Sequence, residues 1–175
     1  LIFRGVAFEF RFKAVEGKRG FWNWSFCIGS LVAAFAQGAV VGTFIQGFDT
    51  LDRRFVGGAF DWLTPFTVLT GIGIMIGYAL LGTTWLILKS EGYIQAWAYK
   101  LTPPLLLAVL VIFGIISIWT PLVNEVVWDR WFGHIQVIWI LPALTLLCMY
   151  GVYWAVQRQR ELLPFMATLG MFFFT

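Results

Sequence analysis

Four stretches with no charged residue constrain this chain more than anything else in it. Gly20 to Phe48 is 29 residues, Trp62 to Leu88 is 27, Leu101 to Asn124 is 24, and Trp131 to Gln157 is 27 with only His134 titratable. Roughly 20 apolar residues of helix cross the hydrocarbon core of a bilayer, so each run is long enough, with some tilt. In lipid the backbone N–H and C=O groups find no water, and a run of this length satisfies them internally only as helix. Leu162 to Thr175 reads as a further, truncated run, and Leu1 to about Phe8 as the tail of a preceding one. The expected fold is all-α, a polytopic transmembrane helix bundle with four complete spans and two partial ones. Residues 1–175 form a single transmembrane domain, expected to be a fragment of a longer subunit whose N- and C-terminal helices are missing.

Composition agrees. Sixty per cent of the residues are hydrophobic and 12% are charged, with a mean hydropathy of +0.82. A soluble domain of this size carries more charge than that on its surface. The net charge of +3 is spread over loops, so no nucleic-acid partner is expected. Cys27 and Cys148 lie in different apolar runs and read as small core residues, with neither disulfide nor metal-ligand spacing. There is no Cys-x-x-Cys, no His-x-x-x-His, no glycine-rich phosphate loop and no nucleophile elbow. No catalytic residue and no metal site is therefore assigned.

The run ends are punctuated. Thr64-Pro65 places a cap residue before a first-turn proline, and Thr102-Pro103-Pro104 reads as the same device. Pro121 marks the exit of the third run, and Pro142 predicts a kink inside the fourth. Trp22, Trp24, Trp62, Trp97, Trp119, Trp128 and Trp131 crowd the ends, as an interfacial belt does. Crossing in alternation gathers Arg4, Arg11, Lys13, Lys18, Arg19, Lys89, Lys100, Arg158 and Arg160 on one side, and Arg53, Arg54 and Arg130 on the other. That bias places the Arg4–Arg19 connector in the cytoplasm, with the Asp49–Asp61 and Asn124–Gly133 connectors outside.

Several residues inside or beside the runs invite a role. Gly38/Gly42 and Gly73/Gly77 each set two glycines four apart on one helix face, where a neighbouring backbone can approach. Gln37 and Gln46 either bond across helices or line a cavity. His134 is the only histidine. A b-type haem site needs two axial ligands, so His134 would require Met75, Met149, Met166 or Met171 as its mate; the packing role common for methionine makes an interfacial hydrogen-bonder the better reading of His134. Glu9 and Lys13 are four apart in the favourable sense for a helical ion pair, and Arg4 lies deeper in the membrane. These three read either as a topology anchor with a solvated pair or as charged groups with a task.

The first stretch, Phe3-Arg4-Gly5-Val6-Ala7-Phe8-Glu9-Phe10-Arg11, resembles the end of the third membrane helix in subunit II of cytochrome bd-type quinol oxidases. The resemblance continues through Phe21-Trp22-Asn23-Trp24, Gln46-Gly47, Leu63-Thr64-Pro65-Phe66 with Gly71, Gly73 and Gly77, and Asn124-Glu125. Tyr78-Ala79-Leu80-Leu81-Gly82-Thr83-Thr84-Trp85-Leu86 is similar to the cyanide-insensitive subgroup. The resemblance implies a multi-pass subunit of the bacterial cytoplasmic (inner) membrane that pairs with a haem-bearing subunit I. Haem b and haem d belong in that partner, and this chain binds no cofactor of its own. Quinol is the substrate, and lipid and quinone are the other expected contacts. The implied task is to complete the assembly and to give protons a cytoplasmic route, for which Arg4, Glu9 and Lys13 are the candidates. On the residues alone, a secondary transporter and a structural membrane scaffold stay open.

Overall fold

A computed structural model describes residues 2–14, 18–47, 50–51, 54–55, 58, 60–123, 127–128 and 140–174. Six helices run in order among them: α1 (Ile2–Lys13), α2 (Arg19–Gln46), α3 (Pro65–Lys89), α4 (Tyr93–Val123), α5 (Ile140–Gln157) and α6 (Leu162–Phe174). Helices α2, α3, α4 and α5 are long and apolar enough to cross a membrane. The fold is an all-α bundle. Between α2 and α3 lies one small feature the sequence did not announce, an antiparallel ladder of β1 (Thr50–Leu51) on β2 (Arg54–Phe55). Trp131, His134 and the charged residues Glu16, Asp49, Asp52, Arg53, Glu125, Asp129 and Arg130 lie outside the described residues.

Helix α3 is the hub, packing against α2, α4 and α6, while α5 joins α6 and α4 and α1 leans on α2. The core forms where α3 to α6 meet. Leu80 and Ile87 of α3, Ala98, Leu106 and Val109 of α4, Met149 and Val152 of α5 and Met171 of α6 are buried together there. Threonines share that interior without leaving a hydroxyl idle. Thr70, Thr83, Thr102 and Thr168 donate back to the carbonyls of Thr67, Leu80, Ala98 and Pro164 at 2.8–2.9 Å, the local bond that lets a threonine sit in an apolar helix.

Helix α3 starts as Thr64-Pro65 predicts. Thr64 Oγ1 accepts from the Thr67 N–H at 3.2 Å, and Thr67 Oγ1 accepts from the Thr64 N–H at 2.9 Å, a reciprocal cap with Pro65 in the first turn. The second Thr-Pro device does not behave this way. Helix α4 begins at Tyr93, so Pro103 and Pro104 lie inside it and Thr102 caps nothing. The preceding turns are worth ordering because Ala98 and Thr102 are fully buried and because polar bonds tie them down. Gln95 Nε2 donates to the Ile87 carbonyl at 3.0 Å and to Glu161 Oε1 at 3.2 Å, and Tyr99 Oη donates to the Arg160 carbonyl at 3.1 Å. These tertiary contacts offset the two helical bonds that the prolines remove.

Lys100 accordingly sits on the exposed surface of α4 and not in a connector. Pro121 lies two residues inside the end of the same helix. Helix α1 also runs further than the apolar run, through to Lys13, so Glu9, Arg11 and Lys13 are helical. Ring contacts with α2 hold this extension: Phe10 stacks on Trp22 at 5.2 Å and Phe8 meets Phe26 at 6.5 Å. Pro142 falls in the first turn of α5 as described; the segment before it, where a kink would show, lies outside the described residues. Helix α5 ends with Gln159 in the left-handed region (φ 51°), and the Arg160 N–H closes back on the Ala155 carbonyl at 3.0 Å.

Candidate functional site

The candidate residues of α1 are built from its helical repeat. At about 100° per residue, Glu9 and Lys13 fall within about 40° of each other, while Arg4 is about 140° from Glu9. Arg4 turns toward α2. It is half-buried, with its guanidinium carbon 5.4 Å from the centre of the Phe26 ring, a cation–π placement. Its Nε is buried and has no hydrogen-bond partner among the described residues. Ala7, fully buried, marks the same contact line. Glu9 and Lys13 are both exposed. They share a face as the spacing implies, but no ion pair forms between them. A long-side-chain pair in water gains too little to hold one geometry. The three candidates are therefore not one cluster: Arg4 belongs to the α1–α2 contact, and the other two to the free surface.

The glycines sit where helices cross. A Cβ built on Gly38 would lie 2.6 Å from the Thr70 carbonyl oxygen and 2.7 Å from Gly71 Cα, and one on Gly42 would run into Thr70 Oγ1. Gly38 and Gly42 thus meet the backbone and the Thr70 side chain of α3. On the other side of α3, a Cβ on Gly73 would lie 3.1 Å from Ile112 Cγ2 of α4, and one on Gly77 would lie 2.8 Å from Phe172 Cζ of α6. One helix thereby carries close approaches to three neighbours.

Both glutamines of α2 bond across to α3. Tyr78 Oη donates to Gln37 Oε1 at 3.1 Å, and Thr64 Oγ1 donates to Gln46 Oε1 at 2.7 Å. Tyr78 also stacks on Phe172, centroids 6.0 Å apart. The sequence does not single out Tyr78 and Thr64 as partners of these glutamines. The signal available was the pairing of rare polar residues in apolar runs, which says that partners exist and not which. Cys27 and Cys148 are both free thiols; Cys148 is half-buried, whereas Cys27 is exposed on α2 and not the core residue its apolar run suggests. Met149 and Met171 are buried in the core cluster, Met75 is half-buried and Met166 exposed. Met149 and Met171 thus pack the core, while His134, the residue each methionine would have to join at a haem, lies outside the described residues. Among the described residues no three His, Cys, Asp or Glu side chains come together to hold a metal ion.

The chain is 27% identical to the cytochrome bd-I ubiquinol oxidase subunit 2 of Escherichia coli strain K12, over 82% of this chain and 46% of that protein. It is 25% identical to a probable cytochrome oxidase subunit 2 of Haemophilus influenzae, over 83% of this chain and 46% of that one. The chain thus spans about half the length of the curated relatives it matches. The sequence model of one family, cytochrome bd terminal oxidase subunit II, matches residues 1–175. A membrane helix bundle matched by that model along its whole length belongs to the cytochrome bd terminal oxidase subunit II family.

Proposed function

We propose that this protein serves as the non-haem subunit II of a cytochrome bd-type terminal quinol oxidase in the bacterial cytoplasmic membrane. The family match over residues 1–175 carries this reading. In the reaction of such an enzyme two quinols release four electrons and four protons, and O2 takes up four of each to give two waters. The haems b and d that move the electrons belong to the partner, subunit I. This chain completes the membrane assembly with subunit I, and its helix-crossing glycines Gly38, Gly42, Gly73 and Gly77 keep the bundle close-packed for that task.

The second part of the proposal is a cytoplasmic entry for protons at α1. Glu9 is a carboxyl on an exposed helical surface at the end of the bundle where basic residues gather. Lys13 lies one turn on along the same face. A carboxyl in this position can take a proton from water and pass it inward. Arg4, turned onto Phe26, supports this entry by seating α1 on α2.

The test is the Glu9→Gln variant of the whole oxidase. As a relay group, its loss slows steady-state quinol oxidation while haem content and melting temperature stay at wild-type values. Wild-type turnover across pH 6–9 removes Glu9 from the path. The parent reading has its own check: the purified complex gives haem b and haem d bands in a reduced-minus-oxidised spectrum, and a preparation without them sinks the oxidase assignment.

A further inference from the structure

The α1–α2 end carries a basic concavity that the proton-entry proposal does not use. Arg11 and Phe12 of α1 and Arg19 of α2 line one concavity of about 250 Å³. Lys13 and Lys18 flank it in sequence and are exposed. Arg11 makes no hydrogen bond or ion pair among the described residues, whereas other cations of the same bundle end are occupied by rings. Lys89 Nζ lies 5.6 Å from the Trp85 ring and the Arg158 guanidinium 5.4 Å from Trp154. Apolar surface adjoins the concavity: Phe12 is 68% exposed and Phe8 53%, and the two rings meet edge to face at 5.1 Å. Phe21 and Trp24 of α2 are as open, at 66% and 69%.

Two arginines beside half-exposed aromatic rings, at the end of the helix bundle, match one kind of molecule. We infer that this concavity binds the headgroup of an anionic phospholipid, with its phosphate between Arg11 and Arg19 and its acyl chain along Phe12 and Phe8. The guanidinium fork suits phosphate oxygens, and basic residues at a membrane surface favour anionic lipid over zwitterionic. The rings stand where an interfacial belt stands, one side wet and one side in hydrocarbon. An acidic protein segment would satisfy the arginines equally, but it would leave the exposed sides of Phe8 and Phe12 uncovered. Glu9 does not oppose the site, since it lies about 200° around α1 from Arg11.

Native mass spectrometry of the full-length protein, in the complex as purified, reads the inference directly. The wild type should retain phosphatidylglycerol through washing with phosphatidylcholine of the same acyl chains. Each arginine at a membrane surface contributes about fivefold to such binding, so Arg11→Gln with Arg19→Gln should lower retention about 25-fold. Arg158→Gln, whose cation rests on Trp154, should leave it unchanged. Equal retention of the two lipids by the wild type overturns the inference, and that comparison stands even if the double variant fails to fold. So does displacement of phosphatidylglycerol by millimolar inorganic phosphate alone, which would mean a free-anion site. Loss of a partner subunit from the double variant, with lipid retention intact, would mark the surface as a protein contact instead.

Discussion

At the scale of single residues, polar groups in this bundle are placed by what they can donate to. Gln37 was legible as a polar residue in an apolar run, but its partner was not, because a periodicity names a face and not the atom opposite. The Tyr78 hydroxyl reaching Gln37 Oε1 at 3.1 Å is a bond between α2 and α3. Interhelical hydrogen bonds in membrane proteins contribute about 0.6 kcal/mol on average. Tyr78→Phe keeps the ring on Phe172 and should cost about that much, read as a small fall in melting temperature of the purified protein. Tyr78→Ala also removes the stacked ring and should cost more; equal falls for the two would mean the hydroxyl contributes nothing. Arg4 shows the complementary limit. Its depth at the membrane edge was readable from the spacing, whereas its contact with Phe26 depended on how α1 lies on α2.

At the scale of elements, the four glycines separate by what they touch. Gly38 meets backbone atoms of α3, which no rotamer change can move, while Gly73 meets the side chains of Ile112 and Ile116. Gly38→Ala should therefore destabilise by about 1–3 kcal/mol, the range for overpacking, and Gly73→Ala by less. Gly82 has nothing within 4 Å of where a Cβ would stand. Gly82→Ala should be neutral or stabilising by up to about 1 kcal/mol, the helix-propensity difference. A thermal melt of the three variants checks the order, and identical melts would mean that glycine spacing says nothing about packing here. Element ends tell a similar story. Thr64-Pro65 and Thr102-Pro103 are the same dipeptide, yet one opens a helix and the other lies within one, because only the second is preceded by a segment with a buried Ala98 and a bonded Gln95.

At the scale of the whole molecule, alternating helices place the α3–α4 and α5–α6 turns together, joined through Gln95, Glu161, Tyr99 and Arg160. The basic bias predicts that this end is cytoplasmic. Single cysteines at Lys18 and at Asp61, in a background with Cys27 and Cys148 replaced, should label from opposite sides of the membrane with an impermeant maleimide. Labelling of both from one side refutes the topology. Fold class, the number of spans and the charge asymmetry were determined by the sequence alone, since the bilayer demands length and hydropathy that any chain must spell out linearly. The hub role of α3, the start of α4 at Tyr93, the contact of Arg4 with Phe26 and the meeting of Arg11 with Arg19 were decided only by tertiary structure. Each depends on which helix faces which, and in lipid that choice rests on close packing between distant residues that no local pattern records.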